Sequence, residues 1–468
     1  MAGKAYGAMA ARANEKLAVW FEHSGFSQGE LARLVVKRAQ ARGLWQISTD
    51  TSRVHYWLTG QHPRHPVPDI LAEIFSERFG YAVTVTDLGL EEQKCLSVAG
   101  MDIPWELAST LAAIDQLTRS DLMLNRRDVL TESANVTVGA ALIDPLHRWI
   151  TATPNWLPMH EGRVRIGMDD VKHITELTEA CRKIDRQHGG MLPRKVTVSL
   201  LNETSHLLNS ATYTEKVGRC LLTALADLAM IAGWTTFDVG LHATAQRYFV
   251  LGLHAAKEAD DQLLGAEILT CMARQTFDLN RRQDALDLIQ LALYGTRKQA
   301  VPAVQSMLHA NEAWAFGELG QSHFCQRAVG LAEDFFAHAQ LDSSPNWLRY
   351  YNAAELAAVT GDAYRSLASH DPTYASQATE NLKQAVDNFS PDRVLSRAFH
   401  INGLVSAYLL QGETEEANNV ADRAIELAQP LTSTRINQRL TTLREQTAQV
   451  KRTPTARELF DKLSTALP

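Results

Sequence analysis

The sequence predicts an all-α protein in which a small N-terminal helical domain leads into a long array of helix pairs. Three observations predict it. From about residue 104 onward, apolar residues recur at helical spacing in one segment after another; no alternating strand pattern of useful length follows residue 100; and small residues return at near-regular intervals through the C-terminal half.

The head is built first. Residues 12–22 carry Leu17, Trp20 and Phe21 at helical spacing, and Gly25 supplies a stop. Ser27 is placed to cap a second helix, with Glu30 three residues on as its reciprocal partner. Leu31, Leu34 and Val35 give that helix its apolar face, and residues 43–49 break it. Asp50 is placed to cap a third helix that ends at Gly60, a residue suited to left-handed backbone. Pro63, Pro66 and Pro68 mark a loop, and the amphipathic stretch up to Gly80 closes the unit. Residues 81–100 read as a connection with short extended character, and residues 143–165 and 188–194 as interruptions of the helical pattern. The expected domains are residues 1–85, a linker with helical segments over 86–165, and the array over 166–468.

Composition bounds the function. Apolar residues make up 45 % of the 468 and charged residues 21 %, the balance of a soluble globular chain. The net charge of −7 is uneven: residues 1–66 sum to +5 and the remainder to −12, a basic head on an acidic body, as a polyanion-binding module would have. No uninterrupted apolar run of about 18 residues predicts a membrane span, and the first residues do not predict a secretory signal. Cys95, Cys181, Cys220, Cys271 and Cys325 are odd in number and far apart, which predicts neither a disulfide framework nor a zinc site and fits a reducing cytoplasm. Asn125-Arg126-Arg127-Asp128-Val129-Leu130 has the look of a twin-arginine export signal but lies too deep in the chain to serve as one.

Within the head, Ser27-Gln28-Gly29-Glu30-Leu31-Ala32 and Val54-His55-Tyr56-Trp57-Leu58-Thr59-Gly60 have the layout of a helix-turn-helix. Val54 and Trp57 fall on one face and are expected in the core. That leaves Thr51, Ser52, Arg53, His55 and Tyr56 on the first turns and outer face, where arginine suits guanine and hydroxyls suit base edges or phosphates. Gln28 is expected to reach a phosphate or base, and Lys37, Arg38, Arg42 and Arg64 to neutralise phosphates.

In the array, Gly240-x4-Ala245-x3-Phe249-x2-Gly252, Asn280-x4-Ala285-x3-Ile289-x2-Ala292 and Gly412-x4-Ala417-x3-Ala421-x2-Ala424 repeat one pattern. Ala378-x3-Leu382-x2-Ala385 follows it after a turn expected at Gly361-Asp362, and Gly320 with Ala328-x3-Ala332 follows it only with a longer turn. Small residues are needed where two helices touch, and the pattern is that of a tetratricopeptide-like solenoid with a concave binding face. Trp234, Arg274, Trp314, Tyr351, Glu355 and Asn402 are expected to look into that groove, with Asn311 and Asn352 nearby. There they would hold a peptide or small molecule. The competing expectation is that the Trp and Tyr residues are core between repeats.

The head motifs resemble the Xre family of phage-repressor-like regulators, with His55 in place of the usual Ser and a longer connection over residues 36–49. The whole plan, with Asn125–Leu130 and Gly233-Trp234-x3-Asp238-x-Gly240, resembles actinobacterial regulators of development and secondary metabolism, and the peptide-sensing regulators of Gram-positive bacteria. The resemblance implies a homodimer on a pseudo-palindromic double-stranded DNA operator, controlled by a ligand in the groove. The alternatives are a protein-interaction scaffold or anti-activator, and an immunity repressor of toxin–antitoxin or phage type. Nucleotide-binding loops, HExxH and GxSxG are absent from the sequence, and His62 and His65 lack acidic or Cys partners at ligand spacing. No enzyme, cofactor or metal is therefore expected.

Overall fold

The computed structural model describes residues 14–41, 47–61, 63, 66–79, 83, 85, 87–90, 103–122, 136–154, 164–299, 301–450 and 453–467. These form two compact units, residues 1–97 and 98–468. Among the described residues the chain is all-α, with one isolated bridge between Arg165 and Thr212.

The first unit holds α1 (Glu15–Ser24), α2 (Gln28–Ala41), α3 (Thr51–Leu58) and α4 (Val67–Phe79). Its boundaries follow local chemistry. Gly25 ends α1 at φ +70°. The Ser27 backbone N–H donates to Glu30 Oε2 at 3.1 Å while the Glu30 N–H donates to Ser27 Oγ at 3.2 Å, the reciprocal cap that the sequence predicts. Asp50 Oδ1 accepts from the Arg53 N–H at 2.8 Å and fixes the start of α3 at Thr51. Leu17, Leu31, Val35, Val54, Trp57, Ile70 and Phe75 form one core.

The second unit opens with α5 (Leu107–Leu122), α6 (Ala140–Leu146), α7 (Arg148–Thr151), α8 (Met168–His188) and α9 (Met191–Ser210). Helix pairs follow: α10 (Glu215–Asp238) with α11 (His242–Glu258), α12 (Gln262–Asp278) with α13 (Arg282–Thr296), and α14 (Pro302–Glu318) with α15 (Ser322–Ala337). Then come α16 (Ala353–Ala368) with α17 (Ala375–Asn388), α18 (Val394–Gln411) with α19 (Thr414–Ala428), and finally α20 (Thr434–Gln449) and α21 (Pro454–Ala466). Each first helix from α10 to α20 packs on the next first helix, which makes the arrangement solenoid-like. Ala245, Ala285, Ala378 and Ala417 are fully buried on second helices, where a larger side chain would separate the pair.

Three expectations are corrected. Gly361 is not at a turn; it lies inside α16, where a Cβ would sit 2.9 Å from the Leu382 backbone, so it permits close helix packing. The turn before α17 lies near His370 and Asp371 instead. No longer turn follows Gly320: α15 starts two residues later, as α11 does after Gly240, and the buried Cys325 takes the small-residue position expected of Ala328. The wide spacing to the next pair comes from the short turns Leu341–Ser343 and Asn346–Leu348 between α15 and α16. Within the stretch read as a linker, 86–165, helices α5, α6 and α7 place Leu107, Ile114, Leu146 and Trp149 in the core of the second unit. The Asn125–Leu130 motif and Cys95 lie outside the described residues.

The array curls back on itself. α8 packs on α10 and also on α18. Ser433 Oγ donates to Asp238 Oδ1 at 2.7 Å, and Arg435 Nε donates to Asp278 Oδ2 at 3.0 Å, tying the start of α20 to the ends of α10 and α12. The approach is close enough that a Cβ on Gly190 would meet Thr432 Oγ1 at 1.9 Å. The result is a partly enclosed cavity. α10 is long and apolar enough to cross a membrane by composition, yet 83 % of its apolar window is buried inside the fold.

Candidate functional site

Two places stand out, one in each unit. In the first, the N-cap at Asp50 and the burial of Val54 and Trp57 orient α3 so that Thr51, Ser52, Arg53, His55 and Tyr56 are all exposed. Tyr56 is 57 % exposed, unusual for an aromatic side chain on a folded surface. A Cβ on Gly29 would lie 3.6 Å from Thr51 Cγ2, so the first turn of α2, with the half-buried Gln28, sits beside the first turn of α3. Arg53 Nη1 donates to the Ser48 carbonyl at 2.7 Å, which leaves the rest of its fork at the surface. Lys37 is exposed. Arg38 instead pairs with Glu73, at 3.6 Å, and with Glu77, both on α4; its charge is largely neutralised within the unit. Arg42 and Arg64 lie outside the described residues.

In the second unit, the cavity occupies about 150 Å³ between first helices, α8 and the start of α20. At 10–15 Å³ per enclosed water it would hold on the order of ten waters, or a small organic molecule. Four of the residues predicted for the groove line it: Trp234, Arg274, Trp314 and Glu355. The other four do not. Asn311 is fully buried, accepting from Arg274 Nε at 3.1 Å and donating to the Met307 carbonyl. Tyr351 is core, its hydroxyl 2.9 Å from Ser306 Oγ. Asn352 caps α16 through the Glu355 N–H. Asn402 is buried and donates to the Ala398 carbonyl at 2.6 Å.

The curl also brings in residues that linear reasoning missed. Arg182, Asp185 and Arg186 come from α8, Glu267 and Cys271 from α12, Arg393 and Phe399 from the start of α18, and Arg435 from α20. Arg393 Nη2 donates to Glu355 Oε2 at 3.0 Å while Arg274 approaches Oε1 at 3.7 Å, so one carboxylate bridges two guanidinium groups. Arg435 lies 5.0 Å from the Trp234 ring, 4.3 Å from Phe237 and 4.8 Å from Phe399. Burial, with the neighbouring Asp238, pushes Asp185 up to about 8. Burial likewise pushes Glu267 up to about 7, even though the Tyr350 hydroxyl donates to it at 2.9 Å. Asp185 Oδ1, Glu267 Oε2 and Arg393 Nε are buried without a hydrogen-bond partner among the described residues. Native interiors keep few such atoms, and these three line the cavity. One sequence signal could have pointed to Glu267: a lone carboxylate inside the apolar run Leu263–Met272. Among the described residues no cluster of three or more His, Cys, Asp and Glu side chains is arranged to hold a metal ion. His62 and His65 lie outside the described residues.

A family described as SP15 N-terminal domain matches residues 17–91, a stretch that contains α2, α3, α4 and most of α1. No curated protein matches the chain.

Proposed function

We propose that the chain is a sequence-specific DNA-binding transcription regulator whose operator affinity is set by a ligand in the cavity of its second unit. The observation that carries this is the polar, exposed face of α3: five side chains able to contact bases or phosphates, on a short helix held by a buried Val54 and Trp57. A helix of this kind enters the major groove by its N-terminal residues, where Arg53 would bond guanine and Thr51 and Ser52 base edges or phosphates. Lys37 would contact the phosphate backbone. Two copies would bind a pseudo-palindromic operator with half-sites about one helical turn apart. A ligand bridging α8, α12 and α18 would alter the curl of the array and shift the population of DNA-competent dimers.

Selection of duplexes from a random pool with the full chain tests this. The expected result is one enriched motif with two related half-sites, bound at least about 10³-fold more tightly than random duplex. Enrichment of no motif, with affinity that falls steeply in salt for every duplex alike, would reduce the activity to non-specific binding. A second reading, a protein-interaction scaffold, draws on the exposed Met168, Leu177 and Ile184 along α8. It expects binding of a protein partner with no enriched duplex.

A further inference from the structure

A second space of about 280 Å³ lies beside the cavity and has the lining residues Trp314 and Arg435 in common with it. The first space is lined largely by rings and aliphatic groups. The second is polar, lined by Asp278, Glu318, Arg365, Gln438, Arg439 and Thr442 among others.

Each carboxylate here is already engaged. Asp278 accepts from Arg435 at 3.0 Å. Glu318 accepts from Arg282 at 3.1 Å and from the Ser366 hydroxyl at 2.6 Å. Arg365 is held by Asp362, at 3.0 Å, which also faces His400 at 3.1 Å. Arg439 is different. It has no hydrogen bond or ion pair among the described residues, and its guanidinium lies 4.2 Å from the centre of the Phe399 ring. Stacking on a ring uses the face of a guanidinium and leaves its edge, with five N–H donors, for another partner. Arg439 is half-buried; burial and the neighbouring Arg365 work against its charge, while Asp362 and Asp278 favour it without bonding to it. A guanidinium does not deprotonate in a protein, and its free edge suits an added anion. Arg365, Arg435 and Arg439 against Asp278 and Glu318 leave the polar space one positive charge in excess.

We propose that one organic anion spans both spaces past Trp314 and Arg435, with an apolar or aromatic body between Trp234, Trp314 and Phe399 and a carboxylate or phosphoryl head bonded by the edge of Arg439. This names the ligand class of the regulator proposed above and rests on that reading only for its effect on DNA. Burial weakens the opposition of Asp185 and Glu267 to an anion at neutral pH: Asp185, pushed up to about 8, is mostly a neutral acid there, and Glu267, pushed up to about 7, is about half so.

The test uses the full chain without DNA, by titration calorimetry at pH 7, with three probes of one body: 4-phenylbutyrate, 4-phenylbutyl phosphate and 4-phenylbutylamine. At least one anion should bind with a Kd below about 1 mM and at least tenfold more tightly than the amine; whichever anion binds more tightly identifies the head. Arg439→Met should weaken that anion at least tenfold and leave unliganded thermal stability unchanged or raised. Arg327→Met, on the exposed face of α15, should change nothing. Amine binding equal to or tighter than both anions, no anion binding, or full affinity in a folded Arg439→Met would overturn the proposal. If that variant does not fold, the head-group comparison on the unaltered protein decides. Operator binding by the same preparation is read separately, so the loss of one activity does not imply the loss of the other.

Discussion

Asp121→Ala should cost the second unit about 3–5 kcal/mol, the range for breaking a buried ion pair by removing one partner. Asp121 sits near the end of α5 and is 1 % exposed as a side chain; it pairs with Arg194 of α9, itself 2 % exposed. The Tyr248 hydroxyl of α11 also donates to Asp121 Oδ2, at 2.6 Å, and Arg194 Nε donates to Thr236 Oγ1 at 3.1 Å. One carboxylate therefore joins three helices, and its loss strands a guanidinium in the interior. In a unit of this size the thermal midpoint should fall by roughly 4–6 °C. Asp121→Asn keeps the shape but not the charge and should retain most of the loss. Replacing both partners, Asp121→Leu with Arg194→Met, should recover stability, because the penalty comes from the unpaired charge rather than from a missing attraction. A double variant no more stable than Asp121→Ala would show that packing, not charge, governs this site.

Trp149→Ala should be about as damaging, also about 3–5 kcal/mol. The indole is 1 % exposed. It fills a slot made by two glycines: a Cβ on Gly265 would lie 2.4 Å from Trp149 Nε1, and one on Gly295 would lie 2.3 Å from Cζ3. Residues 136–154 also reach the array through the buried Leu142 and Leu146 and through hydrogen bonds. The Thr137 amide donates to Gln246 Oε1 at 2.9 Å, with Gln246 Nε2 returning a bond to the Thr137 carbonyl, and the Gly139 amide donates to Asp284 Oδ2 at 2.9 Å. Without the indole, hydrogen exchange at Thr137 and Gly139 should quicken sharply, and by more than exchange in α14, which does not line the slot. Gly295→Ala should give the same release by steric exclusion. Unchanged exchange at both amides in Trp149→Ala would show that the segment is held by its hydrogen bonds and the buried Leu142 and Leu146 without the indole.

What the sequence discloses of this molecule is mostly local. Ser27 with Glu30, Asp50 before Thr51, and Gly25 after α1 are legible because a cap involves residues three or four apart. Val54 and Trp57 are legible by helical period, and so are the buried alanines at 245, 285 and 417. Gly361 misleads because a glycine that lets two helices touch looks, in sequence, like one that ends a helix. Cys325 is overlooked because a thiol serves as a small apolar residue where alanine was sought. The cavity is half legible. Trp234, Arg274, Trp314 and Glu355 share the register of the first helices, so the repeat pattern locates them. Arg182, Arg393, Arg435 and Arg439 come from segments far apart in the chain, and only the curl that seats α20 against α10 and α12 brings them to one place. The four residues that miss the cavity do so for nearby reasons: a cap at Asn352, a bond from Arg274 of α12 at Asn311, a buried bond to Ser306 at Tyr351, and a buried bond within α18 at Asn402.

The central claim is that α3 reads DNA, and Arg53→Ala measured against Lys37→Ala tests it most directly, by fluorescence anisotropy on the selected duplex over a series of salt concentrations. Arg53→Ala should lose about 1–3 kcal/mol per half-site and relax the preference at one base pair, while Lys37→Ala should weaken all duplexes alike and lower the salt slope by about one. Unchanged affinity and base preference in a folded Arg53→Ala would contradict the claim.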